Sequence, residues 1–587
     1  HHCGTDEMHQ ELFLNNVGLH QKIIENNVEL EAFTQQFTQT YSANNLNKGV
    51  ISYTIPVVFH VIHNHGEENV STAQILDGLK ILYEGYQKSN PDTANLISPF
   101  KEIAADCEIA FKLAQLDPSG NCTNGITRHV DSSTYTGLHH VKDIVHWDPS
   151  KYLNIYVCSQ AGGLAGHALV PSAADTIPEW DGIVMQHSYM GSIGTGSIVG
   201  ARVIVHEVGH YLNLQHVWGG NNVPNYPYLP VGDAGNCAFD DGVTDTPNTI
   251  GNSGQNLATS TCGSLDNMQN FMEYTYLNSM FTEGQKVRMH AALNSSIANR
   301  NNLWTNANLI ATGIINNPTI CAVNFETDKR YFCEGETVKF TDISSQDVMN
   351  RTWFFEGATP TASSDSVVDI IYNTPGIYEV KLVVSNGVNT DSVIKTNYIE
   401  VFASPSTRNS LIEGFESNNS LDGSHWFTDE VTDTWEVTNL VGENSNKSLL
   451  LTNHDDFSGR KTNLYSKPID VSNANNLVLS FDYAFAKKMN PNTDRLRIYV
   501  SKNCGGSWLI RKTLSQTNIA TVTDPLVSEF IPTNSEWDNV MITNINASYY
   551  TSDFMVKFEF TGGGGNNIYL DNINLYDPAQ VGVEEEF

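Results

Sequence analysis

No run of apolar residues in this sequence approaches the roughly 18 that a membrane-spanning helix needs, so nothing in it reads as a bilayer span. Positive charge is also scarce. The chain has 32 Lys and Arg against 65 Asp and Glu, a formal net charge of -33. A surface of that sign repels nucleic acid and anionic lipid, and no nucleic-acid partner is expected. Its carboxylates are either solvating groups or, in Asp-rich loops, hard oxygen ligands of the kind calcium takes. No secretion signal opens the chain, so an exported protein would be met here after its signal had been removed. The closing "GVEEEF" suggests processing or truncation.

What is present is folded material, 40 % hydrophobic and 17 % charged, in a length of 587 residues that exceeds one compact core. Residues 6 to about 42 are polar with a helical period, Leu30, Phe33, Phe37 and Tyr41 falling on one face. This stretch reads as a helical pro-segment, 1–48. From "YTIPVVFHVIH" onwards, β-branched runs alternate with helical and loop segments, an α/β layout with a mixed sheet and an active-site helix over 49–316. The texture then changes to short strands and turns. Residues 317–404 read as a small immunoglobulin-like β-sandwich, 405–578 as a larger jelly-roll sandwich, and 579–587 as a tail.

The nine cysteines are an odd number, which leaves at least one thiol unpaired or otherwise employed. Cys237 with Cys262 and Cys321 with Cys333 close short loops and are the expected disulfides. Cys107, Cys122, Cys158 and Cys504 are left unassigned.

The chemistry concentrates in "HEVGHYLNLQH", residues 206–216. His206 and His210 are four apart and share one helix face, so both can reach one ion. Glu207 is placed to act on a metal's water as general base and then to protonate the leaving amine. His216 is six residues beyond His210, too far round for a continuous helix. The chain must turn sharply first, and Asn213 is the residue after glycine that best tolerates the left-handed conformation such a turn needs. Three imidazoles with one position open is a catalytic zinc pattern.

The segment "ARVIVHEVGHYLNLQHVWGG" resembles the pappalysin family of metzincin zinc peptidases. "IPVVFHVIH", "NCTNGITR", "WDPSKYLNIYV", "DDGVTDTP" and "NFMEYTYLNSM" agree with it in order. The resemblance implies a secreted zinc metalloendopeptidase acting on proteins or peptides. It makes Met272 the Met-turn beneath the three histidines and Tyr274 a stabiliser of the tetrahedral intermediate. It also implies a structural calcium held by Asp241 and Thr246 with the carbonyls of Asp240 and Thr244; the alternative is an Asp-rich turn closed by Cys237 and Cys262. Relatives that cut before arginine carry an acid where this chain has Leu277, so cleavage before a basic residue is not expected to be preferred.

"HHCGTDE" resembles a cysteine switch, Cys3 filling the zinc's fourth position in a latent form; otherwise Cys3 is the unpaired thiol of a frayed terminus or a disulfide partner. Activation would then require a cut near Lys48. "WFFEGATP" and "YNTPGIYEVKLVVSN" resemble the PKD domain, a spacer of secreted bacterial enzymes, and the end of the chain suggests a secreted or surface protein of Bacteroidetes type. The competing reading is an adhesive or glycan-binding surface protein with an incidental metal domain. Retention of Glu207, which is no ligand, speaks against it. In either case the sandwiches could take a glycan or cell-surface ligand.

Overall fold

A computed structural model describes residues 3–15, 17–44, 52–64, 66–219, 229–315, 319–344, 348–417, 419–421, 424–428, 434–454, 459–488 and 490–579. Lys48 and residues 580–587 of the expected tail lie outside the described residues.

The β-branched run Tyr53–His63 forms strand β1, buried at every position except Thr54. It pairs in parallel with β2 (Ile109–Leu113) and then β3 (Ile126–Val130) along one side, and with β4 (Leu153–Cys158) along the other. Beyond β4 lies β6 (Ile183–Gln186), also parallel, and beyond that β5 (Gly166–Ala168), the antiparallel edge strand. This is the mixed sheet expected. β1 and β4 are covered on both faces, which is why they read as continuous apolar runs.

Helix α3 (Thr72–Tyr86) packs against α4 (Val203–Tyr211), and every residue of α4 is buried. Helix α5 (Glu283–Asn294) starts from a capping box in which Thr282 and Gln285 satisfy each other's backbone. Two helices precede the sheet, α1 (Thr5–Asn15) and α2 (Val17–Asn44). The apolar face seen in the sequence is what docks α2. Leu30 is buried, and Phe33, Phe37 and Tyr41 form a run of ring contacts that ends edge-on at His290 of α5, with centroid spacings of 6.2, 5.7 and 5.8 Å.

The rest is all β. Strands between Phe325 and Phe402 form sheets of five and four strands, and those between Leu411 and Tyr576 form sheets of six and five. Cys237 pairs with Cys262 as expected. The expected Cys321–Cys333 pair does not form: Cys122 bonds Cys321, and Cys333 bonds Cys504. The two cysteines are near in sequence, but strands Phe325–Thr327 and Tyr331–Cys333 belong to opposite sheets of the sandwich. The chain therefore crosses the sandwich between them, presenting Cys321 to the α/β domain and Cys333 to the last one.

Both disulfides thus span domain boundaries, and side chains reinforce them. Glu326 of the first sandwich accepts from the N–H groups of Thr72 and Ala73 at the start of α3. Between the sandwiches Tyr331 stacks on Phe427 at 4.3 Å, and Lys467 pairs with Glu400 at 2.5 Å.

Candidate metal centre

Helix α4 carries His206, Glu207 and His210, and ends in a Schellman turn. The N–H of Asn213 bonds the carbonyl of His210 at 3.0 Å, and that of Leu214 bonds Gly209 at 2.8 Å. Asn213 has φ +69°, the left-handed conformation the spacing demanded. The turn reverses the chain so that His216 faces the helix. It also supplies the Leu214 carbonyl that accepts from His210 Nδ1 at 2.9 Å. Met272 is fully buried and packs against α4 at Gly209, where a Cβ would lie 2.5 Å from its sulfur, so a larger residue there would have to push the Met272 side chain aside.

The three Nε2 atoms converge, His206 to His216 at 3.3 Å and His210 to each of the others at 3.1 Å. Tetrahedral zinc with Zn–N bonds of ~2.0–2.1 Å requires ligand nitrogens about 3.3 Å apart. The trio fits. Each Nδ1 is held from behind: His206 by the Phe271 carbonyl at 2.7 Å, His210 by Leu214, and His216 by Asp6 Oδ2 at 2.9 Å. With Nδ1 the donor, each Nε2 keeps its lone pair for a metal.

Cys3 stands on the open side. Its sulfur and the three Nε2 atoms all lie within 4.8 Å of one another, and all four residues are buried. Burial pushes the Cys3 thiol well above its ordinary range, and the nearby Glu207 carboxyl pushes it further. A thiolate there requires a cation, which is what a metal in this donor set provides.

Glu207 is fully buried, and burial raises its carboxyl to about 8 against hydrogen bonds that oppose the shift. Its Oε2 lies 3.4 Å from the Cys3 sulfur and 3.3 Å from the Thr5 hydroxyl. The Tyr274 hydroxyl donates to the Cys3 carbonyl at 3.0 Å. The segment is laid along the edge strand β5: Gly4 N–H donates to the Gly166 carbonyl at 2.8 Å, and Ala168 N–H to Thr5 Oγ1 at 3.0 Å. Farther along, Glu31 of α2 receives both guanidinium ends of Arg288.

The Asp-rich loop brings Asp241 and Thr246 together, the hydroxyl donating to Asp241 Oδ1 at 2.7 Å. Asp241 is buried, which raises its carboxyl to about 8. Asp240 instead accepts from Gly242 N–H at 2.6 Å. Among the described residues, no group of three His, Cys, Asp or Glu ligand atoms converges at this loop. Leu277 is half-buried, and its neighbour Asn278 accepts through its carbonyl from Arg202, which pairs with Asp92 at 2.5 Å.

Sequence reasoning did not single out Thr5, Asp6, Glu31 or Arg202. Thr5 and Asp6 carried a signal, since they follow Cys3 directly. Arg202 stands four residues before His206 on the same helix face. Glu31 carried none, because its partner Arg288 is 257 residues away.

Residues 139–294 match the Peptidase_M43 family, described as pregnancy-associated plasma protein-A, and residues 322–398 match the PKD domain. An extracellular metalloprotease of Arthroderma otae is 29 % identical over 160 residues, 26 % of this chain and 54 % of that protein. Human pappalysin-1 is 30 % identical over 172 residues, 27 % of this chain and 10 % of that protein. The structure of Tannerella forsythia promirolysin shares 30 % identity, covering 52 % of this chain and 97 % of that one with a TM-score of 0.43. The chain spans about half the length of the extracellular metalloproteases it matches. On these matches the chain carries a pappalysin-type metallopeptidase domain, matched over residues 139–294, followed by a PKD domain, matched over residues 322–398.

Proposed function

We propose that this chain is the latent form of a secreted, zinc-dependent endopeptidase. The observation that carries the reading is the convergence of three Nε2 atoms beside Glu207, with the Cys3 sulfur on the open side. His206, His210 and His216 would hold the ion. Zinc bound there polarises a peptide carbonyl and makes water acidic enough to attack near neutral pH.

The chain's own groups do the rest. Glu207 takes a proton from the attacking water as its oxygen bonds the carbonyl carbon, and returns it to the nitrogen as the C–N bond breaks. Products are a carboxylate and an amine, with no covalent enzyme intermediate. Tyr274, whose hydroxyl donates to the Cys3 carbonyl in this form, would donate to the carbonyl oxygen of a substrate as charge builds on it. The edge strand β5 would bind substrate backbone as it binds Gly4.

Residues 1–48 are assigned to an inhibitory segment. Cys3 blocks the fourth metal position, the Thr5 hydroxyl occupies Glu207, and the Cys3 carbonyl occupies Tyr274. A calcium ion would be held by Asp241 and Thr246 with the carbonyls of Asp240 and Thr244. In support, Asp241 is buried and costly to ionise without a cation beside it. The sandwiches, joined to the peptidase domain by disulfides, would carry any glycan or surface ligand they bind close to the cleft and raise local substrate concentration.

The test is hydrolysis of a denatured protein by the processed chain, with and without a zinc chelator. Activity should vanish with chelator and with Glu207→Ala. Activity indifferent to both removes the peptidase reading. The latency assignment is checked on the unprocessed chain. Cys3→Ala should raise its activity about tenfold or more, equivalent to about 1.4 kcal/mol.

A further inference from the structure

The three histidines are not oriented by equivalent means. His206 and His210 find their Nδ1 partners in backbone carbonyls of the peptidase domain itself, Phe271 and Leu214. The Nδ1 of His216 is held by Asp6, a residue of the amino-terminal segment 210 positions away. Both side chains are shut off from water, His216 at 0 % and Asp6 at 4 % exposure. The imidazole of His216 also lies flat on Trp218, with centroids 4.3 Å apart and planes 6° apart. The ring can therefore turn little, and Asp6 fixes which nitrogen faces the metal.

We propose that Asp6 is a positioning residue for the metal centre. The segment that blocks the site with Cys3 also completes it, through a carboxylate that orients His216. This inference rests on the zinc reading above. A carboxylate behind a metal-bound imidazole fixes its tautomer and raises its basicity, and losing such a partner typically weakens metal binding about 10–100-fold.

Cys3 and Asp6 belong to one stretch. Cys3 is laid against Gly166 of β5, and Asp6 sits in the first turn of α1, which begins at Thr5. A single cut that releases the segment therefore removes one metal ligand and one outer partner together. The latent chain holds its zinc through both; the processed enzyme holds it through the three histidines, with His216 no longer tied to Asp6. The segment thus acts in metal loading as well as in inhibition, so the metal is best acquired before activation.

The experiment uses the full unprocessed chain as wild type, Asp6→Ala, Asp6→Asn and Cys3→Ser. Zinc affinity is measured by competition with a chromogenic chelator. A second measurement replaces zinc with cobalt and follows the thiolate-to-cobalt absorption band, which reports whether Cys3 remains at the metal. Asp6→Ala is expected to bind zinc about tenfold or more weakly while retaining the thiolate band. Asp6→Asn keeps an acceptor of the same shape without the charge, so it should fall between Asp6→Ala and wild type; it also serves if alanine disturbs the helix start.

An Asp6→Ala chain that binds zinc as tightly as wild type overturns the proposal. So does one that loses the thiolate band and weakens no further than Cys3→Ser, since Asp6 would then only dock the segment. A wild-type chain that takes up no zinc overturns the zinc reading itself, and this inference with it.

Discussion

Arg288 of α5 grips Glu31 of α2 with both ends of its guanidinium, and through Nε it holds the carbonyl of Asn213 at 2.7 Å. Asn213 in turn donates its side-chain amide to Glu31 at 3.3 Å. One buried cation thus ties the long amino-terminal helix to the turn that delivers His216. Arg288 is 4 % exposed, so removing Glu31 strands a nearly buried charge.

Glu31→Ala should therefore loosen the segment at its far end without touching the three converging histidines. The expected cost is about 2 kcal/mol. It should be seen as a lower thermal midpoint for the unprocessed chain and as faster cutting between α2 and β1 in limited proteolysis. An unchanged cutting rate would show that the pair does not hold the segment down.

The left-handed turn at Asn213 makes a sharp prediction about residue type. Alanine at φ +69° should cost about 1–2 kcal/mol, because its Cβ crowds the following carbonyl. Glycine is free of that penalty and should fall closer to wild type, losing the hydrogen bond to Glu31. The order wild type, Asn213→Gly, Asn213→Ala should appear both in thermal stability and in zinc content after dialysis. Alanine as good as glycine would mean that the turn is not set by the backbone.

How much of this was legible beforehand follows from how far apart the interacting residues lie. His206, Glu207 and His210 share one helix, and the roles proposed for them follow from its period alone. His216 and Asn213 needed only one local rule about a turn. The apolar face of α2 was visible as Leu30, Phe33, Phe37 and Tyr41, although its receptor, α5, was not. Cys321 and Cys333 misled because loop length is a poor guide when a strand crosses a sandwich between them, and the true partners lie 199 and 171 residues away. Glu31 was opaque for the same reason: an acid in a polar, helical stretch looks like solvated surface until the fold sets an arginine 257 residues away against it. Asp6 had its place beside Cys3 as a signal, but its partner His216 is 210 residues away.

Substrate choice should reflect the surroundings of Leu277. The loop after Tyr274 is held by Arg202, whose guanidinium bonds the carbonyl of Asn278 and is paired with Asp92. An incoming arginine or lysine would meet Leu277 where it needs an acid, and Asp92 is already engaged by Arg202. Profiling on a peptide library should show basic residues depleted immediately after the cut. Enrichment of arginine at that position would overturn the assignment of Leu277.

The boundary disulfides predict how fragments behave. A protease nick in the connection between the two sandwiches, after Phe402 and before Leu411, should leave the pieces joined by Cys333–Cys504 on a non-reducing gel and separate them on a reducing one. Cys504→Ser should release them under both conditions and lower stability by about 2–4 kcal/mol.

Lys142 offers a pH-dependent test away from the three histidines. It is 1 % exposed, and its ammonium reaches the carbonyls of Trp180 and Gly182 at 2.6 and 3.0 Å. Burial lowers it from 10.5 to about 7, against the opposing attraction of Asp181, whose carboxylate is itself engaged by Arg300. Between those two values the unfolded chain binds the proton more tightly than the native chain. Stability from this group therefore rises with pH, by at most about 1.4 kcal/mol per unit, and levels off above the unfolded value. Below about pH 7 both states carry the charge, and its burial is a constant cost. Lys142→Met removes that slope. The thermal midpoint of the variant relative to wild type should be highest at pH 7 or below and fall steadily toward pH 10. A difference that stays flat across this range would mean that Lys142 keeps its proton in the folded protein, with the two carbonyls sufficient to hold a buried ammonium.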